Sequence, residues 1–519
     1  MAAQYMPLIN QEGDSVPLDD TPSAQEPIQT PIFLSEKPRP ASAAWKRYLI
    51  AALPEFARPG GFAPRKINST SYLDALRGYA ATIVFMAHIF NSEWGWQNEP
   101  IIRTFFQGHG MVALFFVISG YVLSYRFLIY MRTGEMDKFM NAIASSTFRR
   151  YIRLYLSVAF ACFIALIVVR FKGYNGLGAP LWKDTLGEQL WDYFLDQVFF
   201  ANPFSPWISG YLSANFHYSR YLGQMWSIAA EYRGSVALFA FLTGTCKLSV
   251  KNRMILTWII IFFCYVWEAC YIAEFLAGCF IADLSLTLNP ERLTNPRGMR
   301  CLEETRRRSW KWKVICVFLF LLGFFLIGEP PGGPYLGILG PYPWHFLYSL
   351  IPWWWDPAAR YLFWLGPGSV LLVVGLEFYP TLQKPFNWRF SQYVGDLSFG
   401  IYAMHPPIAW AVWMVWYPRI REQYLGDSTW AYVPGVILTV LAVFTASDYF
   451  SRIDRMVIRF ARWCERKVFL DATRAAVETV YSDKERPAVW SRLMQMCERS
   501  YLNVRVRFHR ARRHRSEDV

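Results

Sequence analysis

Long apolar runs separated by short clusters of Arg and Lys set the pattern of this chain. Ten runs predict membrane-spanning helices, over residues 78–97, 111–130, 152–170, 223–244, 255–270, 271–288, 313–328, 360–378, 393–416 and 431–450. An α-helix rises about 1.5 Å per residue, so each run approaches the roughly 20 residues that cross a bilayer core. An even number of spans returns both termini to one side. Residues 1–69 are rich in Pro, Ser, Gln and Asp over most of their length and show no apolar periodicity or early apolar stretch. They predict a disordered cytosolic tail and not a cleaved signal peptide. Residues 451–519 open with basic and apolar residues interleaved, as in Arg455-Met-Val-Ile-Arg459-Phe-Ala-Arg462-Trp463. That period predicts a basic amphipathic helix on the cytosolic leaflet. The expected fold class is therefore an all-α polytopic membrane protein: a bundle of about ten transmembrane helices over residues 70–450, with both termini cytosolic.

The charge distribution gives an independent check. Of 53 Lys and Arg, 44 fall in segments that the ten-span reading places inside, and only eight fall outside. Short loops rich in these residues stay in the cytoplasm, and a wrong span count would scramble the alternation. The net charge of +14 is accounted for by cytosolic loops beside anionic lipid, so no nucleic acid partner is expected. The nine Cys lie in spans or cytosolic segments, which leaves no external pair for a disulfide and no Cys-x-x-Cys for a metal. No internal repeat is evident, which disfavours the repeat-built transporter folds.

Two external segments, 171–222 and 329–359, are rich in aromatics, including Pro206-Trp207, His217-Tyr218 and Trp353-Trp354-Trp355. An interfacial belt explains them without a substrate; a stacking surface for a sugar or polycyclic acceptor is the alternative.

Polar residues inside the spans are few. The first run carries Arg77 and His88, eleven positions apart with no other charge between them. Helical rise separates them by roughly 16 Å, so an Arg at the cytosolic surface would carry the His to about the bilayer centre. An ionisable group there is by default a functional-site hypothesis. The second run holds Ser119-Gly120, the third opens on Arg150-x-x-Arg153, and the fourth carries Trp226-Ser227 and Glu231. His88, Ser119 and Glu231 fall at similar depths. An imidazole beside a carboxylate is suited to act as general base on a hydroxyl. Arg77, Arg150 and Arg153 would lie at the cytosolic rim, where planar guanidinium groups bind phosphates bidentately. A donor with phosphates at one end and a thioester on a long arm, such as acyl-CoA, satisfies both groups.

Each residue also has a structural explanation. A buried His can be a satisfied structural residue, and rim Arg residues can anchor lipid headgroups. Ser119-Gly120 can be a close helix contact, and Glu231-Tyr232-Arg233 a neutralised intramembrane pair. Together these alternatives must explain why Arg, His, Ser-Gly, Arg-x-x-Arg and Glu concentrate in the first four spans.

The set resembles the acyltransferase 3 family of multispan membrane acyltransferases. The matching elements are Asp74-Ala-Leu-Arg77-Gly78 with His88, Phe115-Phe-Val-Ile-Ser119-Gly120-Tyr121, Arg150-x-x-Arg153-Leu154, and Trp226-Ser227 with Glu231. A fifth is Ser398-Phe-Gly-Ile-Tyr402-Ala-Met-His405-Pro406-Pro407. The resemblance implies a ten-helix bundle that moves an acyl group, usually acetyl from acetyl-CoA, to a hydroxyl. It maps the catalytic pair onto Arg77 and His88, with Glu231 beside them, and donor contacts onto Arg150 and Arg153 with Ser119 and Gly120. Trp226, Tyr402 and His405 are further candidates. No metal and no permanently bound cofactor are expected, because acyl-CoA serves as co-substrate. Leu156 departs from the Pro that often follows the Arg-Leu element, and no fused hydrolase-like domain is present. The long tails resemble those of fungal members. The separate membrane-bound O-acyltransferase family also uses a buried His, but its Asn-plus-His pattern is absent.

His88 can act directly as general base or carry the acyl group as a covalent intermediate. A transporter or lipid flippase using the buried His and Glu as a proton relay is the competing function, and a scaffold with a vestigial site is a third. The acceptor, a hydroxylated small molecule or glycan, is not legible, nor are acyl length and oligomeric state. The expected location is the endoplasmic reticulum or plasma membrane.

Overall fold

The computed structural model describes residues 50–62, 67–90, 95–99, 101–175, 181–205, 217–295, 309–329, 343–357 and 359–469. The predicted N-terminal tail up to residue 49, the Pro206–Tyr211 stretch, residues 330–342 and the C-terminal tail from residue 470 lie outside the described residues. The chain divides into a large compact unit, residues 1–459, and a second unit, Phe460–Val519.

The described residues are helical and contain no strand. The longer helices of the large unit are α1 (Ser71–Phe90), α2 (Gly108–Thr133), α3 (Met136–Arg170), α4 (Leu186–Phe200), α5 (Trp226–Thr245) and α6 (Val250–Val266). They continue with α7 (Cys270–Leu288), α8 (Trp310–Ile327), α9 (Leu365–Phe378), α10 (Arg389–Asp396), α11 (Ser398–Ala409) and α12 (Val433–Val468), whose last turns enter the second unit. Seven described helices are long and apolar enough to cross a membrane: α1, α2, α3, α7, α8, the Arg360–Phe378 stretch and the Trp430–Val468 stretch. The three other predicted spans fall on α5, which carries Glu231 and Arg233, on the 17-residue α6, and on the interrupted stretch from α11 into a π-helical turn at Trp410–Trp416.

The first helix begins earlier than its apolar run suggests. The Asn68 side chain accepts hydrogen bonds from the Thr70 backbone N–H and hydroxyl and from the Ser71 hydroxyl, all at 3.0–3.1 Å. This polar turn satisfies donors at the helix start. Asp74 and Arg77 therefore lie within α1, and His88 lies in its last turn, close to Phe90. His88, midway along the predicted run 78–97, thus lies near the end of a helix that already starts at Ser71.

Small residues set the tightest crossings. A Cβ on Gly120 of α2 would stand 2.0 Å from the Phe275 carbonyl of α7, and one on Gly278 would meet the Val117 carbonyl at the same distance. Backbones this close exclude any side chain. Buried ion pairs add directional ties. Asp283 of α7 takes Arg132 at 2.7 Å and Arg253 at 2.9 Å, and Glu377 of α9 takes Arg292 at 2.7 Å, Tyr72 at 2.6 Å and Ser285 at 2.6 Å. Carboxylates far from water persist only when matched in this way.

The segment before α5 contains an element that was not predicted. α4 opens with a capping box between Thr185 and Glu188 and turns Gln189, Asp192 and Asp196 toward Ser219, Arg220 and Tyr221. Its other face, with Leu190, Trp191, Phe194 and Val198, is exposed. The tryptophan run 353–355 divides similarly: Trp353 is exposed, whereas Trp355 is buried against Tyr265 and Phe363.

Residues 451–468, predicted as a separate surface helix, continue the last span without a break. Within the large unit α12 buries polar residues, Ser447, Asp448, Ser451 and Asp454, beside apolar ones such as Phe450 and Val457.

Candidate functional site

Helices α1, α2, α3, α5, α11 and α12 enclose a cavity of about 970 Å³ including its open mouth. Its lining includes three basic residues, Arg77, Arg150 and Arg153, together with Asp454 and Ser398. Ser119 and Glu231 line its wall, with Val112, Phe115, Ser227 and Tyr402 among its other residues. Six residues singled out in the sequence thus face one space: Arg77, Ser119, Arg150, Arg153, Glu231 and Tyr402.

The three guanidinium groups are not equivalent. Arg150 is held by Glu231 at 2.5 Å and by the Ser235 hydroxyl at 3.0 Å, so this pair neutralises itself across α3 and α5. Arg153 lies in the electrostatic field of Asp454 and Glu231. The Nε of Arg77 is sealed from solvent with no hydrogen-bond partner, and so is the hydroxyl of Ser398. Buried polar atoms are almost always paired. Both residues line the cavity.

His88 lies beyond the cavity and does not pair with Glu231 as expected. Its Nδ1 is 2.9 Å from Nε2 of His405, and the rings are 5.1 Å apart. His405 is completely buried, and its Nδ1 stands 3.0 Å from the Ile401 carbonyl oxygen. A carbonyl only accepts, so Nδ1 of His405 carries a proton. In the neutral ring Nε2 then accepts, and His88 donates from Nδ1. The lone pair of His88 is left on Nε2. That nitrogen would stand 4.0 Å from a Cβ on Gly108, the first residue of α2, and His88 is exposed although Ala87, Ile89 and Phe90 around it are buried. The imidazole is therefore tied to protein through Nδ1, on a side chain that is exposed.

Tyr402 joins the two regions. It lines the cavity, and its ring lies 6.1 Å from that of His405, one helical turn away. Its position follows from the two prolines after His405. Pro406 has no N–H, so the Tyr402 carbonyl loses its helical donor. Gln224 supplies a replacement from Nε2 at 3.4 Å, and the Gln224 carbonyl in turn accepts the Tyr402 hydroxyl proton. Ser227 contacts the same hydroxyl at 2.5 Å. This reciprocal latch fixes α11, and with it His405, against the start of α5.

Two expected residues lie elsewhere. Gly120 is packed against Phe275 and Trp226 against Tyr271, and neither is on the cavity wall. Asp454 lines the cavity but was not singled out, because its segment read as a tail. The spacing of Ser447, Ser451 and Asp454 at helical intervals was the available signal. Among the described residues no group of His, Cys, Asp and Glu is placed to hold a metal.

The acyltransferase domain family matches residues 70–448. The O-acetyltransferase PaAT-1 of Phomopsis amygdali is 26% identical over 444 residues, covering 78% of this chain and 86% of that protein. Acyltransferase R4 of Phoma sp. is 22% identical and acyltransferase clz18 of Cochliobolus lunatus 24% identical, each covering 66% of this chain and 83% of the relative. No solved structure matches the chain. The five motifs, the helical membrane architecture and a family match across most of the chain agree: this protein belongs to the acyltransferase 3 family and is an acyltransferase.

Proposed function

We propose that the protein is a membrane O-acyltransferase that takes an acyl group, acetyl by preference, from acyl-CoA at the cytosolic side and places it on a hydroxyl of a small molecule or glycan. The membrane is that of the endoplasmic reticulum or the cell surface, crossed ten times with both termini in the cytosol. The observation that carries this reading is the cavity that runs from unpaired Arg77 to Tyr402, next to the histidine pair. Arg77 and Arg153 bind donor phosphates, Ser119 and Ser398 offer hydroxyls along the wall, and Glu231 holds Arg150 in place.

In the reaction, Nε2 of His88 takes the acceptor hydroxyl proton as the oxygen attacks the thioester carbonyl. The carbon–sulfur bond breaks, and the departing thiolate recovers the proton from His88. The O-acetyltransferase name of the Phomopsis amygdali relative agrees with an oxygen acceptor and an acetyl donor.

The test uses purified full-length protein, acetyl-CoA and extracts from cells lacking the gene, with free CoA and one added acetyl mass as readouts. His88→Ala is expected to lower turnover by about 10²-fold or more. A charge-assisted hydrogen bond contributes about 1.5–3 kcal/mol, so Arg77→Ala or Arg153→Ala should raise KM for acetyl-CoA by about 10- to 100-fold. Unchanged KM in both Arg variants would reject the donor site, and full activity of His88→Ala would reject the base.

A further inference from the structure

We propose that His405 is a positioning residue, whose buried imidazole fixes the tautomer of His88 and keeps the lone pair on Nε2. The inference rests on His88 being the base, but its geometry stands independently. His405 is anchored through Nδ1 to the Ile401 carbonyl at 3.0 Å, so its one remaining acceptor is the nitrogen 2.9 Å from Nδ1 of His88. The ring is further confined by Phe85 and Tyr402, each with its centroid 6.1 Å away.

The arrangement has three consequences for the reaction. A histidine free to exchange tautomers would place a proton on Nε2 part of the time and be useless as a base at that atom. Hydrogen bonding through Nδ1 removes this state. The same bond strengthens when His88 takes a proton, because its Nδ1–H then belongs to a cation and donates to a neutral acceptor. No carboxylate is needed at that position, which explains how Glu231 can be spent on Arg150. The double proline and the Gln224 latch then serve the base indirectly, by holding α11 where the ring of His405 meets α1.

Solid-state NMR of full-length protein labelled with [15N]histidine in lipid bilayers tests this directly. The His88 signals are identified by their loss in His88→Ala. Wild type should show a single His88 tautomer, with Nδ1 protonated and Nε2 bare. His405→Leu should give a mixture, and His405→Gln, which keeps an acceptor oxygen, should shift the population back toward the wild-type form. In parallel, His405→Leu should lower turnover of acetyl-CoA by about 10²-fold with KM for the donor unchanged, and His405→Gln should recover part of that loss. A wild-type His88 protonated on Nε2, or the same tautomer in His405→Leu as in wild type, would overturn the proposal. The wild-type spectrum needs no variant to fold. If His88→Ala keeps full activity while the tautomer still depends on His405, the positioning holds and the role of His88 as base fails.

Discussion

At 2.5 Å from each other, Arg150 and Glu231 satisfy one another across the cavity wall, with Ser235 as a third partner. Removing one member of a buried pair leaves an unmatched charge and costs about 3–5 kcal/mol, whereas replacing both by apolar groups costs much less. Glu231→Leu alone should therefore lower thermal stability in detergent more than Arg150→Met/Glu231→Leu does. Equal stability of the single and double variants would show that the pair is not coupled. The sequence named both residues, and Arg77, His88, Tyr402 and His405 with them. It did not name their partners: His88 and His405 are 317 positions apart, and only folding brings them to 2.9 Å. A carboxylate beside an imidazole is a common arrangement, so Glu231 was the natural expectation from one dimension; in the structure His88 meets a second imidazole instead.

Helix interiors were legible because apolar composition and length determine them, and seven described helices are long and apolar enough to cross a membrane. Helix edges were less legible, because a cap such as Asn68 is a local polar turn that an apolar run does not register. The shift of α1 changes its chemistry: Arg77 moves inside the helix and His88 to its last turn. Crossings were legible only in part. Ser119-Gly120 allowed either a donor contact or a helix contact, and the structure divides the two, with Ser119 on the cavity wall and Gly120 under Phe275. Gly278→Leu would drive a side chain into the Val117 carbonyl, and overpacking of this kind costs about 1–3 kcal/mol or more. The expected result is a lower melting temperature and loss of a monodisperse chromatographic peak; a wild-type profile would mean that α2 and α7 do not meet there. Gln224→Leu removes the replacement donor for the Tyr402 carbonyl without touching the cavity wall. It should lower turnover while leaving the affinity for acetyl-CoA unchanged.

Seven described helices are long and apolar enough to cross a membrane, and the proposed ten-span topology makes a further prediction about its sides. Asn68-Ser69-Thr70 has the form of a glycan acceptor. With both termini cytosolic it receives no glycan, whereas the same triplet introduced just ahead of α4 should be glycosylated, as read by a mass shift that glycosidase removes. A glycan on Asn68 would reverse the topology. The proposed topology matters for chemistry because it decides which face would supply donor: the side of Arg77, toward the start of α1. In the proposed function one chain binds a phosphate-bearing donor at Arg77 and Arg153 and transfers its acyl group at His88. The most direct test follows radiolabel from [14C]acetyl-CoA, using purified wild type and His88→Ala with an acceptor extract from cells lacking the gene. Labelled product and matching free CoA are expected with wild type, and background transfer with a His88→Ala protein that still binds acetyl-CoA. Transfer by His88→Ala at the wild-type rate would contradict the proposed function.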